Sequence, residues 1–168
     1  LFNKGHVLYG LATARPAARE TGRIVVVEGY TDVIALARAG LGEAVAPLGT
    51  ALTESQIRLM WRLAPEPVLC FDGDEAGTRA AARAARRALP LLQPGFSLRF
   101  ATLPRGEDPD SLIATGGAPA MEDLIADAVP LDQVIWDTEA AGKQLDTPER
   151  IAGIEHRLET LARTIADR

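Results

Sequence analysis

The sequence predicts an α/β fold: a doubly wound parallel sheet of about four strands with flanking helices, followed by a small helical subdomain. Three observations carry this. Four short apolar runs, 24–27, 43–46, 68–71 and 97–101, alternate with segments of helical periodicity. The first and third, Ile24-Val25-Val26-Val27 and Val68-Leu69-Cys70-Phe71, are unbroken, as strands covered on both faces require. Beyond about residue 108 the strand signal ends, while Pro109, Pro119, Pro130 and Pro148 suit first helical turns.

Taken in order, residues 1–22 read as one or two short helices leading into the first strand. A helix over Thr31–Ala39 places Val33, Leu36 and Ala37 on one face. The next, Thr53–Leu63, opens on a capping box made by Thr53 and Gln56, then sets Ile57, Met60 and Trp61 at helical spacing. Glu75–Leu89 is rich in alanine and arginine, strong helix formers, and Pro90 stops it. Near the end, Thr147 is placed to cap a helix whose stripe is Ile151, Ile154, Leu158, Leu161 and Ile165. That stripe is too short for a coiled coil and reads as the core of a small bundle. Trp61 and Trp136 read as packing residues. The expected division is a lead-in at 1–22, an α/β domain at 23–118 and a helical subdomain at 119–168.

Composition narrows the class. The 168 residues are 47% hydrophobic and 24% charged, which excludes disordered and fibrous chains. A single cysteine, Cys70, excludes an intrachain disulfide and a cysteine-based zinc site, and its apolar run marks it as buried. No apolar run is long enough to span a membrane, so no membrane partner is expected. Leu1-Phe2-Asn3-Lys4 has neither a methionine nor a leader pattern, and the chain reads as a piece of a cytoplasmic protein. Its net charge is −5, unevenly placed: residues 119–168 hold 11 acids and 5 bases, residues 1–118 hold 12 and 13. Six of those 12 acids fall in three tight pairs, and without them the first part would stand at +7. A basic body thus carries an acidic pocket and an acidic tail.

The three pairs lie just beyond predicted strands. Glu28 follows Ile24–Val27, and Asp32 comes four residues later. Asp72 follows Val68–Phe71, with Asp74 two residues on. Asp108 and Asp110 flank Pro109 beyond the fourth run. In open α/β sheets the carboxyl edge of the strands is where ligands bind. Converging carboxylates repel by about 4 kcal/mol per pair at 4 Å and an effective dielectric near 20. Asp32 and Asp108, taken singly, read equally as helix caps and turn residues. Asp72-Gly73-Asp74 with Glu28 on a second strand points instead to a hard divalent cation, with oxygen ligands and phosphate chemistry. Gly29, Gly73 and Gly77 let the backbone turn tightly and a phosphate come close.

At these residues the chain resembles the TOPRIM fold, a Rossmann-like sheet shared by primases, topoisomerases and some nucleases. More closely, it resembles the DnaG-type bacterial DNA primases. The resemblance rests on Val25-Val26-Val27-Glu28-Gly29-Tyr30-Thr31-Asp32-Val33, Pro47-Leu48-Gly49-Thr50, Phe71-Asp72-Gly73-Asp74-Glu75-Ala76-Gly77 and Leu103-Pro104-Arg105-Gly106-Glu107-Asp108-Pro109-Asp110. Leu1-Phe2-Asn3-Lys4-Gly5 and Leu8-Tyr9-Gly10-Leu11 add to it. Thr31 departs from it, standing where the family usually has methionine.

The resemblance implies synthesis of short RNA primers on a single-stranded DNA template from ribonucleoside triphosphates, by two-metal nucleotidyl transfer. It implies that Glu28, Asp72 and Asp74 hold magnesium (manganese can substitute), with Asp72 bridging two ions. Asp32, Asp108 and Asp110 would complete the site, and Lys4 would lie in a basic strip beside it. Whether Glu28 is a ligand or a general base stays open. The family's zinc-binding domain, the basic half of its polymerase core and its C-terminal helicase-binding domain are not in this sequence. The replicative helicase is therefore a partner only through a missing domain, and this chain by itself is expected to make no primers.

Arg79, Arg83 and Arg87 recur every four residues, with Arg86 beside them. They suit either a nucleic-acid backbone or a solvated helix face, and no aromatic residues interleave with them. His6 and His156 read as surface or partly buried residues, and Gly49-Thr50 as either a plain turn or part of the active edge. Two other functions compete. A haloacid-dehalogenase-type phosphatase also has Asp-x-Asp after a strand, but Ala76 replaces the threonine or valine it prefers, and Glu28 is left without a role. A non-catalytic TOPRIM module for nucleic-acid binding or assembly would not need the complete acidic set. A topoisomerase would need a strand-cleaving tyrosine, for which Tyr9 and Tyr30 are poor candidates.

Overall fold

The computed structural model describes residues 3–49 and 51–165. Thr50, Leu1 and Phe2, which take part in the sequence motifs above, lie outside the described residues. Four parallel strands form the middle of the sheet: β2 (Val25–Val26), β3 (Ala44–Pro47), β4 (Val68–Phe71) and β5 (Arg99–Thr102). They are the four apolar runs read from the sequence. The sheet is extended at both ends by two-residue antiparallel strands, β1 (Leu8–Tyr9) on β3 and β6 (Val129–Pro130) on β5. The full order is β1-β3-β2-β4-β5-β6.

Alternation along the strands decides which helix covers which face. Ile24, Val26, Val45, Leu69 and Phe100 point to one face. There they meet Ala14 of α1 (Leu11–Thr21), Ile57 and Met60 of α3 (Glu54–Trp61), the alanines of α4 (Glu75–Ala88), and Leu131 and Ile135 of α6 (Leu131–Ala140). Val25, Val27, Ala44, Ala46, Val68, Cys70 and Ala101 point to the other. That face is covered by Val33 and Leu36 of α2 (Tyr30–Arg38) and by Met121 and Ile125 of α5 (Pro109–Ala126). Cys70 is buried as its run requires, and burial pushes its thiol up to about 12.

Several local expectations are corrected. The lead-in is not helical throughout: a 3-10 turn over Lys4–His6 precedes β1 and α1. Strand signal does not end at 108, because β6 follows it. Two-residue strands leave no periodicity to read, and proline is tolerated there because an edge strand can spare an N–H. Pro130 accordingly ends β6 and stands at the cap of α6 rather than inside its first turn. On α2 it is Ala35, not Ala37, that is buried with Val33 and Leu36. The helix over 109–126 is broken at Gly117 (φ 69°, ψ −174°), and Pro119 starts its second part.

The last helix, α7 (Pro148–Ala162), follows most of its predicted stripe. Thr147 stands at its cap without a side-chain cap bond; Ile154 is buried, Leu158, Leu161 and Ile165 are half-buried against the core, and Ile151, 44% exposed, is the member that departs from expectation. Trp136 is likewise 43% exposed, so it is not the packing residue its spacing suggested. Trp61 does pack: its Nε1 donates to the Ser97 carbonyl at 2.8 Å, and its ring lies beside Phe96. No helix among the described residues is long and apolar enough to cross a membrane.

Candidate metal and nucleic-acid site

In a parallel sheet every strand delivers its carboxyl end to the same edge, and here those ends carry the acids. Glu28 leaves β2, Asp72 and Asp74 leave β4, and Asp108 and Asp110 follow the turn after β5. Asp32 stands in the first turn of α2. The β4 and β5 loops are pressed together at Gly73, where an added Cβ would lie 2.2 Å from the Leu103 carbonyl oxygen. Gly77 performs the same service within the β4 loop, its Cβ position being 2.1 Å from the Asp72 carbonyl oxygen. Side chains larger than hydrogen at these two positions would force the carboxylates apart.

Four of the six acids have a local anchor. Glu28 Oε1 accepts the Asp72 N–H at 3.2 Å, which ties the ends of β2 and β4 to one another. Asp32 Oδ2 accepts from the Gly29 N–H at 2.9 Å. Asp74 caps α4, accepting from the Gly77 N–H at 2.7 Å, and Asp108 caps α5, accepting from the Ser111 N–H at 2.7 Å. The capping reading therefore holds for Asp32, which closes a capping box on Gly29, and for Asp108, and it extends to Asp74; each retains its second carboxylate oxygen for other work. Among the described residues the Asp72 side chain accepts no hydrogen bond from the protein.

The electrostatics show that these groups sense one another. Glu28 is raised above the ordinary carboxylate range, first by desolvation and then by Asp72, Asp74 and Asp32, against the lowering effect of its Asp72 N–H bond. Asp32 is raised by desolvation and by Asp108, Asp72 and Asp110, against its Gly29 bond. Asp72 is raised by desolvation, Asp74 and Asp108. All six predicted acids thus meet in one field of like charge. No three His, Cys, Asp or Glu side chains among the described residues converge into a ready-made cation cage. An all-oxygen set of carboxylates has the chemistry of ligands to a hard divalent cation.

A carboxyl whose folded pKa is raised favours the fold below its unfolded value, near pH 4, and that contribution is lost as pH rises through the raised value. Glu28, Asp32 and Asp72 all act in this sense. Glu122, lowered by its bond to Arg23, acts oppositely, but its contribution fades only as pH falls below the ordinary range. Metal-free protein in chelator should therefore lose melting temperature as pH rises from about 4.5 toward 7. Asp72→Asn should flatten that slope. Parallel slopes for the two proteins by thermal unfolding would show that the repulsion is not felt.

The basic residues are sorted by the fold. Arg79 pairs with Glu75 at 3.0 Å, Arg86 turns to Glu139 at 2.5 Å, and Arg87 donates to the Leu52 carbonyl. Arg83 alone of the four is left without an ion pair or hydrogen bond among the described residues. It lines a cavity of about 350 Å³ beside Glu28, with Gly49, Leu52, Phe71 and Arg87. Lys4 is exposed in the 3-10 turn before β1. The Thr53 hydroxyl donates to the Gly5 carbonyl at 2.6 Å, and Gln56 Nε2 donates to the Val7 carbonyl at 2.8 Å, so that turn is held at the start of α3 on the same edge. His6 and His156 are exposed. Sequence reading missed one feature here, the contact between Tyr9 and Tyr30, residues 21 positions apart that no spacing rule connects.

Comparison with known proteins agrees with this geometry. Residues 22–102 match the family model of the Toprim domain. The chain is 47% identical over 150 residues to a DNA primase of Neisseria meningitidis serogroup A, covering 89% of this chain and 25% of that protein. A crystal structure of a DNA primase domain from Pseudomonas aeruginosa superposes with a TM-score of 0.92 at 43% identity, covering 99% of this chain and 52% of that one. A DnaG primase catalytic domain bound to single-stranded DNA superposes equally well, with a TM-score of 0.92 at 40% identity over 99% of this chain and 54% of that one. The chain spans about a quarter of the length of the curated relatives it matches. By sequence and by fold, the chain carries a Toprim domain at residues 22–102 and matches, over nearly its whole length, a segment of the DnaG-type bacterial DNA primases.

Proposed function

We propose that this chain is the metal-binding part of a primase catalytic core, serving synthesis of short RNA primers on single-stranded DNA from ribonucleoside triphosphates. The observation that carries the reading is the gathering of Glu28, Asp32, Asp72, Asp74, Asp108 and Asp110 at one sheet edge in a common repulsive field. Glu28, Asp72 and Asp74 would hold magnesium, and Asp32, Asp108 and Asp110 would complete the charge. When bound, divalent cations lower the pKa of a primer 3′-hydroxyl and neutralise charge on the triphosphate. The chain's own part is to hold its acids in place: Glu28 by the Asp72 N–H, Asp74 by the Gly77 N–H, and Asp72 with both oxygens open.

Arg83 and Lys4 would steer phosphates toward that edge, with Arg79 released from its exposed pair with Glu75 at small cost. The division at 22/23 and 118/119 belongs to the same proposal; the break at Gly117 supports its second boundary. A replicative helicase would be met by parts of the protein outside this chain, in the cytoplasm. Template and nucleotide must be positioned as well as metal, so this chain alone should make no primers.

The test is manganese binding followed by water-proton relaxation, with magnesium as competitor. The wild-type chain should bind weakly and Asp72→Asn with Asp74→Asn should lose at least tenfold in affinity. Equal binding by the double variant would overturn the metal assignment. Robust primer synthesis by the chain alone would overturn the boundary of the active site.

A further inference from the structure

The chain has two tyrosines, and the fold brings them together on the surface. Tyr9 lies on β1 and Tyr30 opens α2, and their ring centroids are 5.8 Å apart at 61°, an edge-to-face pair. Contact does not bury them: Tyr9 is 36% exposed and Tyr30 59%. Ile34, one helical turn beyond Tyr30 and 40% exposed, continues the same apolar surface. Three of the large apolar side chains exposed among the described residues thus lie on one stretch of surface.

That place adjoins the carboxylate edge. Tyr30 is bracketed by Glu28 and Asp32, whose carboxylates are fixed on the N–H groups of Asp72 and Gly29. β1 pairs with β3 in the register Leu8 with Pro47, so the chain before Tyr9, including Lys4, runs along that edge. An edge-to-face pair covers at most one face of one ring, so aromatic surface is left open. Both backbones are held, one in a sheet and one in a helix, so little freedom is lost when a flat ligand lands on them.

We propose that Tyr9 and Tyr30 form a stacking shelf for an unpaired nucleobase of a single strand lying across the carboxylate edge. This rests on the primase reading above. The strand's phosphates would be met by Lys4 and by cations at the sheet edge, and its base by the rings. An aromatic platform beside basic residues is the usual construction for holding single strands without reading sequence.

The test uses the intact 168-residue chain and a fluorescent oligothymidylate at low salt, read by anisotropy. Tyr30→Ala should weaken binding by roughly 5- to 100-fold, the worth of one stacked base. Tyr30→Phe should stay within about twofold, since the ring and not the hydroxyl does the stacking. The slope of affinity against salt should be the same for wild type and Tyr30→Ala, because it counts phosphate contacts. Both side chains are exposed, and circular dichroism will confirm that the variants fold. A 5-iodouracil strand should photo-crosslink to the peptide carrying Tyr30 or Tyr9.

The shelf is overturned if Tyr30→Ala binds like wild type, if Tyr30→Phe loses as much as Tyr30→Ala, or if an abasic strand binds as well as oligothymidylate. A wild-type chain that binds manganese but no strand overturns the shelf and spares the metal reading; one that binds neither overturns both.

Discussion

Arg23→Ala should cost roughly 3–5 kcal/mol of stability, the loss expected when a buried charge is deprived of its partner. Glu43 is the charge in question: its side chain is 3% exposed at the start of β3. Arg23 Nε and Nη2 both donate to Glu43 Oε1, at 2.9 and 2.5 Å. The other side of the guanidinium forks onto Glu122 of α5, at 2.7 and 2.9 Å. These bonds to Glu122 and Glu43 outweigh desolvation and hold the Arg23 pKa above its ordinary range. A lysine ammonium lacks the planar fork that makes paired bonds to each carboxylate, so Arg23→Lys should fall between wild type and alanine. Glu122→Ala, at a side chain 45% exposed, should cost about 1 kcal/mol or less. Adding Glu43→Gln to Arg23→Ala should restore part of the loss by removing the stranded charge. At roughly 2–4 °C per kcal/mol, the alanine variant should melt some 6–20 °C lower. The network sits at the amino ends of β2 and β3, away from the acids, so manganese affinity should be unchanged. A melting temperature within about 2 °C of wild type would mean that Glu43 is hydrated rather than paired.

Gly77→Ala should damage stability and metal binding together. Alanine inside a helix normally gains about 1 kcal/mol over glycine. At Gly77 the added methyl would meet the backbone of Asp72 at 2.1 Å, a contact no side-chain rotation relieves. Overpacking of this kind costs about 1–3 kcal/mol, and here it also displaces the loop that holds Asp72 and Asp74. The expected result is a net loss of stability with at least a tenfold fall in manganese affinity. Gly153→Ala is the control: on α7 the nearest atom to an added Cβ is Arg157 Nη1 at 3.9 Å. The same substitution there should stabilise by about 0.5–1 kcal/mol and leave metal binding alone. If both variants behave alike, close approach at Gly77 is not what shapes the loop.

The four central strands, the Thr53–Gln56 cap, the buried Cys70 and the edge at which the acids collect are all legible in the chain before it folds. All of these rest on local rules. Period-two burial and alternation of strand with helix imply parallel pairing, and parallel pairing sends every strand's carboxyl end to one edge. Glu28, Asp72 and Asp108 had no freedom to lie elsewhere once those strands paired. The remaining features depend on contacts distant in sequence. β1 and β6 are two residues each and exist only because a neighbouring strand accepts them. α7 buries Ile154, half-buries Leu158 and Leu161 and leaves Ile151 exposed, because how deeply each member of a stripe is covered is set by the elements around the helix. Four arginines looked equivalent along α4, and packing assigned Arg86 to Glu139 and Arg87 to the Leu52 carbonyl while leaving Arg83 open. Arg23 meets Glu122 across 99 positions, and Tyr9 meets Tyr30 across the β1 edge. Such pairs leave no period in the chain, because each is formed when separate elements settle onto the same sheet, and the burial that holds them exists only after the sheet has assembled.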